Sequence, residues 1–266
     1  MRVLALLLAT ACSAPATLPE LVVAEKRADA GDTDGAVAEY RIAQQSCKHL
    51  KPERRAKAAC GDALIGEAEV LEHAQRTQQA IDTYLAIPAK VDDDPVTAAM
   101  ATYRAGEMLL HKTKQTVPAW TALWKVVTDY PDEPPAADAL KLLLDDGRKR
   151  DARALAEQMG KLLTPLADTK VADNLLYSLA DLYEHELASP TTAREFYDRI
   201  PRDYPDSGLR DDARWYAAQL SLTLGDPKGA VERLRALLAT REVSFGAGSY
   251  FSIESKYASP SYPPNT

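Results

Sequence analysis

Six times along this 266-residue chain an alanine is followed, four positions on, by an aromatic or apolar residue. The steps run Ala36 to Tyr40, Ala80 to Tyr84, Ala119 to Leu123, Ala152 to Ala156, Ala193 to Tyr197 and Ala230 to Leu234. They recur every 33 to 44 residues, roughly the length of one helical-hairpin repeat. A step of four keeps both residues on one face of a helix. A second apolar periodicity precedes the alanines, as in Tyr103, Gly106, Leu109 and Leu110, or Tyr177, Ala180 and Tyr183, so each unit reads as two amphipathic helices joined by a short turn. A helix pair of that size cannot bury its own apolar side and must stack on its neighbours. The expected class is all-α, with about five to six helix-turn-helix repeats across residues 20–240. Abundant alanine and an aromatic content of only 7% suit helices that approach closely.

Residues 31–37 read GDTDGAV and residues 225–231 read GDPKGAV. A calcium loop with Gly35 at its sixth position would begin at Ala30 and close at Arg41, so both its first ligand and its bidentate glutamate are missing. In the second copy Pro227 and Lys228 stand where a metal would need oxygen donors. The shared residues instead predict a corner. Gly31 and Gly225 end a first helix in a left-handed conformation, and Asp32 and Asp226 cap the second. Ala36 and Ala230 then fall where the two helices cross.

Some units close on a second motif, VVTDYPD at 126–132 and IPRDYPDS at 200–207. Pro131 and Pro205 fix the end of the second helix, which proline cannot continue. With these residues in view the chain resembles the tetratricopeptide-repeat (TPR) proteins. The pattern of Ala193, Tyr197, Tyr204, Pro205 and Ser207 is similar to the periplasmic subset that includes the BamD-like barrel-assembly lipoproteins and, less closely, the Tol-Pal-associated CpoB proteins. The first, second and fourth units depart from it in lacking the Tyr-Pro ending, and the fourth is poor in aromatics. The resemblance implies a right-handed α-solenoid whose first helices line a concave groove that grips other envelope proteins. Tyr103, Arg104 and Trp215 could line that groove, but the frame of the first helices is open by one residue and no groove position is assigned.

Residues 1–11, MRVLALLLATA, place one positive charge before an apolar run far too short to span a bilayer. With Cys12 the stretch resembles a bacterial lipoprotein signal, although Ala9 stands where a leucine is usual. That likeness implies lipidation of Cys12, a tether over 12–19, and a lipid anchor on the periplasmic face of the outer membrane, with a periplasmic or secreted form as the alternative. In such a compartment Cys47 and Cys60 either bridge or remain two buried helix cysteines, and spacing leaves both open. From Arg241 the composition turns to Ser, Tyr, Gly and Pro. Tyr250, Ile253 and Tyr257 keep helical spacing, so 241–266 reads as a short capping helix and a flexible tail.

Catalytic chemistry finds no foothold. His49, His73, His111 and His185 have no His or Cys partner at metal-ligand spacing, and Asp92, Asp93 and Asp94 read as a loop before Pro95. GAGSY at 246–250 lacks the third glycine of a dinucleotide turn, and neither a nucleophile elbow nor a phosphate loop occurs. Trp120 and Trp124 read as packing. A net charge of -7 and a pI near 5.2 argue against a phosphate-tracking surface, so no nucleic acid is expected. No cofactor, metal or small-molecule substrate is expected either. The sequence therefore predicts a non-enzymatic scaffold for envelope assembly, or alternatively an adaptor for a periplasmic cell-wall enzyme.

Overall fold

The structure, a computed structural model, describes residues 18–50, 54–91 and 93–239. The signal-like segment, Cys12 and the proposed capping residues Tyr250, Ile253 and Tyr257 lie outside them. Among the described residues the chain is helical throughout, without a strand. The helices are α1 (Pro19–Asp29), α2 (Thr33–Cys47), α3 (Arg54–His73), α4 (Thr77–Ala86), α5 (Pro95–His111), α6 (Thr116–Asp129), α7 (Pro135–Leu162), α8 (Ala172–His185), α9 (Pro190–Asp203), α10 (Arg210–Thr223) and α11 (Pro227–Ala239). Five pairs, α1/α2, α3/α4, α5/α6, α8/α9 and α10/α11, together with the two halves of α7, make the α-solenoid class. The described residues fall into two compact bodies that divide between Asp94 and Pro95. Pro88 and Pro95 interrupt helix propagation at that junction. The start differs from expectation: Leu18, assigned to the tether, is 6% exposed and packs with Ala43, Ala59 and Ala63, and Pro19 opens α1.

Both glycines and the first aspartate of the G-D-x-x-G-A-V motif have structural tasks. Gly31 and Gly225 take φ of 77° and 74°, and the following Asp32 and Asp226 amides donate back to Arg27 O and Ser221 O at 2.9 and 2.8 Å. The aspartates cap the next helix: Asp32 Oδ1 accepts from Gly35 N at 3.0 Å, and Asp226 Oδ1 from Gly229 N at 2.9 Å. The second glycine is needed because a Cβ on Gly35 would lie 2.0 Å from Asp32 Oδ2, and one on Gly229 would lie 2.2 Å from Asp226 Oδ2. Asp34, the other carboxylate of the first copy, reaches Arg76 at the head of α4 at 2.5 Å and so links the first two pairs.

The same corner recurs where the sequence carries no glycine. Gln75, Lys114 and Ala188 adopt φ of 59°, 58° and 49°, each directly before the residue that precedes a second helix. A side chain in this region costs about 1–2 kcal/mol, partly offset by a stiffer unfolded chain. Ala188→Gly is therefore expected to raise stability by about 1 kcal/mol, and Gly225→Ala to lower it by about as much. Urea unfolding of the two variants checks both signs.

The closing motif is a tie between elements. Ser207 N donates to Tyr204 O at 3.0 Å, forming a turn with Pro205 at its second position, and the Tyr204 hydroxyl reaches Ala167 O at 2.7 Å. Ser207 Oγ donates to Asp173 Oδ2 at 2.5 Å and accepts from Leu209 N at 3.0 Å. Tyr130 and Pro131 build the same turn, with Glu133 N on Tyr130 O at 3.1 Å.

The fourth unit corrects its sequence register. Its two helices run together in the 28 residues of α7, and the loop between them shrinks to Asp151 at φ -152°, ψ 88°. Asp151 Oδ1 accepts from Ala154 N at 2.9 Å, so it caps the second half. The crossing residue four beyond this cap is Leu155, followed by Met159, and not Ala152 followed by Ala156. Leu155 and Met159 are buried, whereas Ala152 is only half-buried. The other units put the small residue on the second helix; here Gly147, on the first half, supplies the room. A Cβ there would lie 2.7 Å from Leu155 Cδ2 and 3.0 Å from the Trp120 ring.

Candidate functional site

Once the crossings are buried, each first helix of the second body retains one partly open stripe. On α5 it carries Val96, Met100, Tyr103, Arg104 and Glu107; on the first half of α7, Asp138, Lys141 and Asp145. On α8 it carries Asp173, Tyr177, Asp181 and Glu184, and on α10 Asp212, Trp215, Tyr216 and Gln219. These positions recur at three- and four-residue steps, which is why each set shares a face.

Three tyrosines join α8, α9 and α10. The Tyr177 ring meets Tyr197 edge-on with centroids 5.4 Å apart and Tyr216 at 6.2 Å, while Tyr197 and Tyr216 stack at 5.5 Å. Burial, first of all, holds all three hydroxyls above the usual tyrosine range, and nearby carboxylates including Asp181 add to it. Asp181 is itself ion-paired to Arg148, with His185 Nε2 at 3.6 Å. Its carboxyl nevertheless titrates above the ordinary carboxylate value because desolvation outweighs Arg148. Glu184 Oε2 is buried and has no hydrogen-bond donor. On α5, Arg104 Nη1 donates to Glu107 Oε2 at 2.5 Å, and burial raises the Tyr103 hydroxyl with help from Glu107 and Asp138.

The first body repeats this chemistry on a smaller scale. Tyr40 is buried at the α2 crossing against Gly66, and the carboxylates of Glu25, Glu69, Asp29 and Asp62 bear on it. Glu67, almost wholly buried, is held by Arg41 Nε at 2.8 Å and Gln44 Nε2 at 2.7 Å. Cys47 and Cys60 are bonded with their Cα atoms 5.8 Å apart, joining the end of α2 to α3. A cavity of about 680 Å³ borders them, lined by Leu50, Ala56, Leu64 and Val91 with Lys57 and Asp93 among its polar residues.

Of the residues that could line a groove, Tyr103 and Arg104 lie half-buried on the α5 stripe and Trp215 is 47% exposed on α10. Trp120 packs against Gly147 and donates to Asp146 Oδ2 at 2.7 Å. Sequence reading did not bring together Tyr216, Glu184 and Asp212. The signal was present in α8, which has three carboxylates and neither Lys nor Arg. Among the described residues no group of three or more His, Cys, Asp or Glu could hold a metal, and no helix is long and apolar enough to cross a membrane.

A family model described as a tetratricopeptide repeat matches residues 175–207, from within α8 through the closing turn at Ser207. That stretch is similar to a tetratricopeptide repeat. Its crossing alanine, aromatic step and Tyr-Pro turn are Ala193, Tyr197 and Tyr204-Pro205, so the α8/α9 pair is the repeat in its fullest form here. Among solved structures, a tetratricopeptide-repeat protein from Parabacteroides merdae is similar at 11% identity, over 84% of this chain and 79% of its own, with a TM-score of 0.41. Pseudomonas aeruginosa PilF is similar at 17% identity over 85% and 93%, also at 0.41. MamA from Desulfovibrio magneticus follows at 16% identity over 82% and 91%, at 0.30. Scores this low decide nothing about function. No curated protein matches the sequence.

Proposed function

We propose that this chain is a non-enzymatic protein-binding scaffold, held at the periplasmic face of a bacterial outer membrane by a lipid on Cys12, within an envelope-assembly complex of the barrel-assembly or Tol-Pal type. The tetratricopeptide repeat supports the scaffold part, since stacking consumes one side of each helix pair and leaves the other to bind. The observation that carries this reading is the open stripe of tyrosine, tryptophan and carboxylate residues on α8 and α10, side chains suited to gripping another chain. The N-terminal sequence supports the anchor.

The test pairs palmitate labelling and fractionation with affinity capture from membranes. Wild type is expected to label, to sediment with outer membrane and to co-purify barrel-assembly or Tol-Pal components, whereas Cys12→Ala loses label and sedimentation. Equal labelling of both forms contradicts the anchor. Capture of a peptidoglycan hydrolase alone replaces the assembly role with that of an enzyme adaptor.

A further inference from the structure

The charge on the α8 and α10 stripes is unevenly neutralised. Asp173 is occupied by Ser207 and Asp181 by Arg148. Asp211 binds Arg210 and Arg214 within α10. Glu184 and Asp212 take part in no ion pair among the described residues, and Glu184 Oε2 is buried without a donor. A buried carboxylate oxygen lacking a donor is costly, and an incoming cation relieves that cost. Both carboxylates lie close enough to bear on the Tyr216 hydroxyl, which is hydrogen-bonded to Tyr177. The unsatisfied negative charge thus sits beside aromatic rings, and exposed Trp215 adds an indole on the same helix.

Rings flanked by unpaired carboxylates match one side-chain chemistry: a guanidinium or ammonium that stacks on the ring and is held by the acids. We propose that the tyrosine–carboxylate face of α8 and α10 receives arginine or lysine side chains from a segment of a partner protein, with Glu184 and Asp212 as its acceptors. The assignment rests on the scaffold function above and names the partner's chemistry. On the α5 stripe Arg104 neutralises Glu107, and on the α7 stripe Lys141 stands between Asp138 and Asp145, so the unpaired acid is concentrated on α8 and α10; in the first body Glu25, Asp29, Asp62 and Glu69 bear on Tyr40. The chain as a whole carries -7. A basic segment is therefore drawn to the α8 and α10 face before it docks.

The experiment uses the full chain and two fluorescein-labelled peptides, one alternating arginine with alanine and one alternating glutamate with alanine, followed by anisotropy. The arginine peptide is expected to bind saturably, less tightly as salt rises, and the glutamate peptide not to bind. Glu184→Gln combined with Asp212→Asn, near-isosteric changes whose melting curve is checked against wild type, is expected to weaken the arginine peptide at least about tenfold. Asp129→Asn, on the second helix α6, is expected to leave binding unchanged. Equal binding by wild type and the double variant overturns the proposal, as does equal weakening by Asp129→Asn. Saturable calcium binding lost in the double variant, with no peptide binding, reassigns the face to a metal; dimerisation lost in the same variant reassigns it to a second copy of this chain. If membrane capture succeeds from wild type and double variant alike, the scaffold function stands and this face is not its docking site.

Discussion

Tyr197→Ala is expected to cost the second body about 4 kcal/mol, lowering its melting temperature by roughly 10 °C. Tyr197 is 1% exposed and stands at the aromatic step of the tetratricopeptide repeat. Its ring contacts Tyr177 and Tyr216 on the helices either side, within a core that includes Leu176, Ala180, Ile200 and Ala217. Truncation leaves a cavity bounded by three helices whose small residues have no longer side chains to fill it. Tyr197→Phe keeps the ring and removes only the hydroxyl, so it is expected to cost roughly 1 kcal/mol or less. Circular-dichroism melts of both variants separate ring from hydroxyl. A loss below 1 kcal/mol for the alanine variant would mean that α8, α9 and α10 do not share this core.

Opening the Cys47–Cys60 bridge is expected to cost the first body about 3 kcal/mol, the value for a closed loop of this size. The bridge spans 13 positions and fastens the end of α2 to α3, across the boundary between the first two helix pairs. Those helices are rich in alanine, which contributes little apolar area per residue, so the link carries a large share of their stability. Melting with and without reductant should show the shift in wild type and none in Cys47→Ser. A thiol titration of the protein purified without reductant should find neither Cys47 nor Cys60 free. Free thiols at Cys47 and Cys60 would contradict the bridge.

How far the sequence disclosed this fold depended on where each constraint was written. The corner was readable at Gly31 and Gly225 because glycine is the residue that takes a left-handed conformation without strain. At Gln75, Lys114 and Ala188 the same backbone is imposed by the helices on either side, and no local residue type announces it. The fourth unit was aligned on Ala152 because the other repeats place their small residue on the second helix. With Gly147 providing the space from the first half of α7, Leu155 could take the crossing. The stripes on α5 and α10 were legible as helix faces but not in their rotation, so the sequence assigned no groove position to Tyr103, Arg104 or Trp215. The meeting of Tyr177 with Tyr216 depends on how two first helices are rotated about their axes, and a rotation of one residue removes it. Lipidation of Cys12 is a matter of processing chemistry, not of packing.

The central claim is that the first helices of the repeats, not the second, meet a partner protein. The direct measurement is photo-crosslinking in cells, with a photoreactive residue at Met100 on α5 or Trp215 on α10, compared with Lys125 on α6 or Arg202 on α9. All four positions are exposed, so accessibility alone favours none of them. The expected result is a discrete adduct with another envelope protein from Met100 and Trp215 and none from Lys125 or Arg202. Adducts from the second-helix positions alone, or equally from all four, would contradict it.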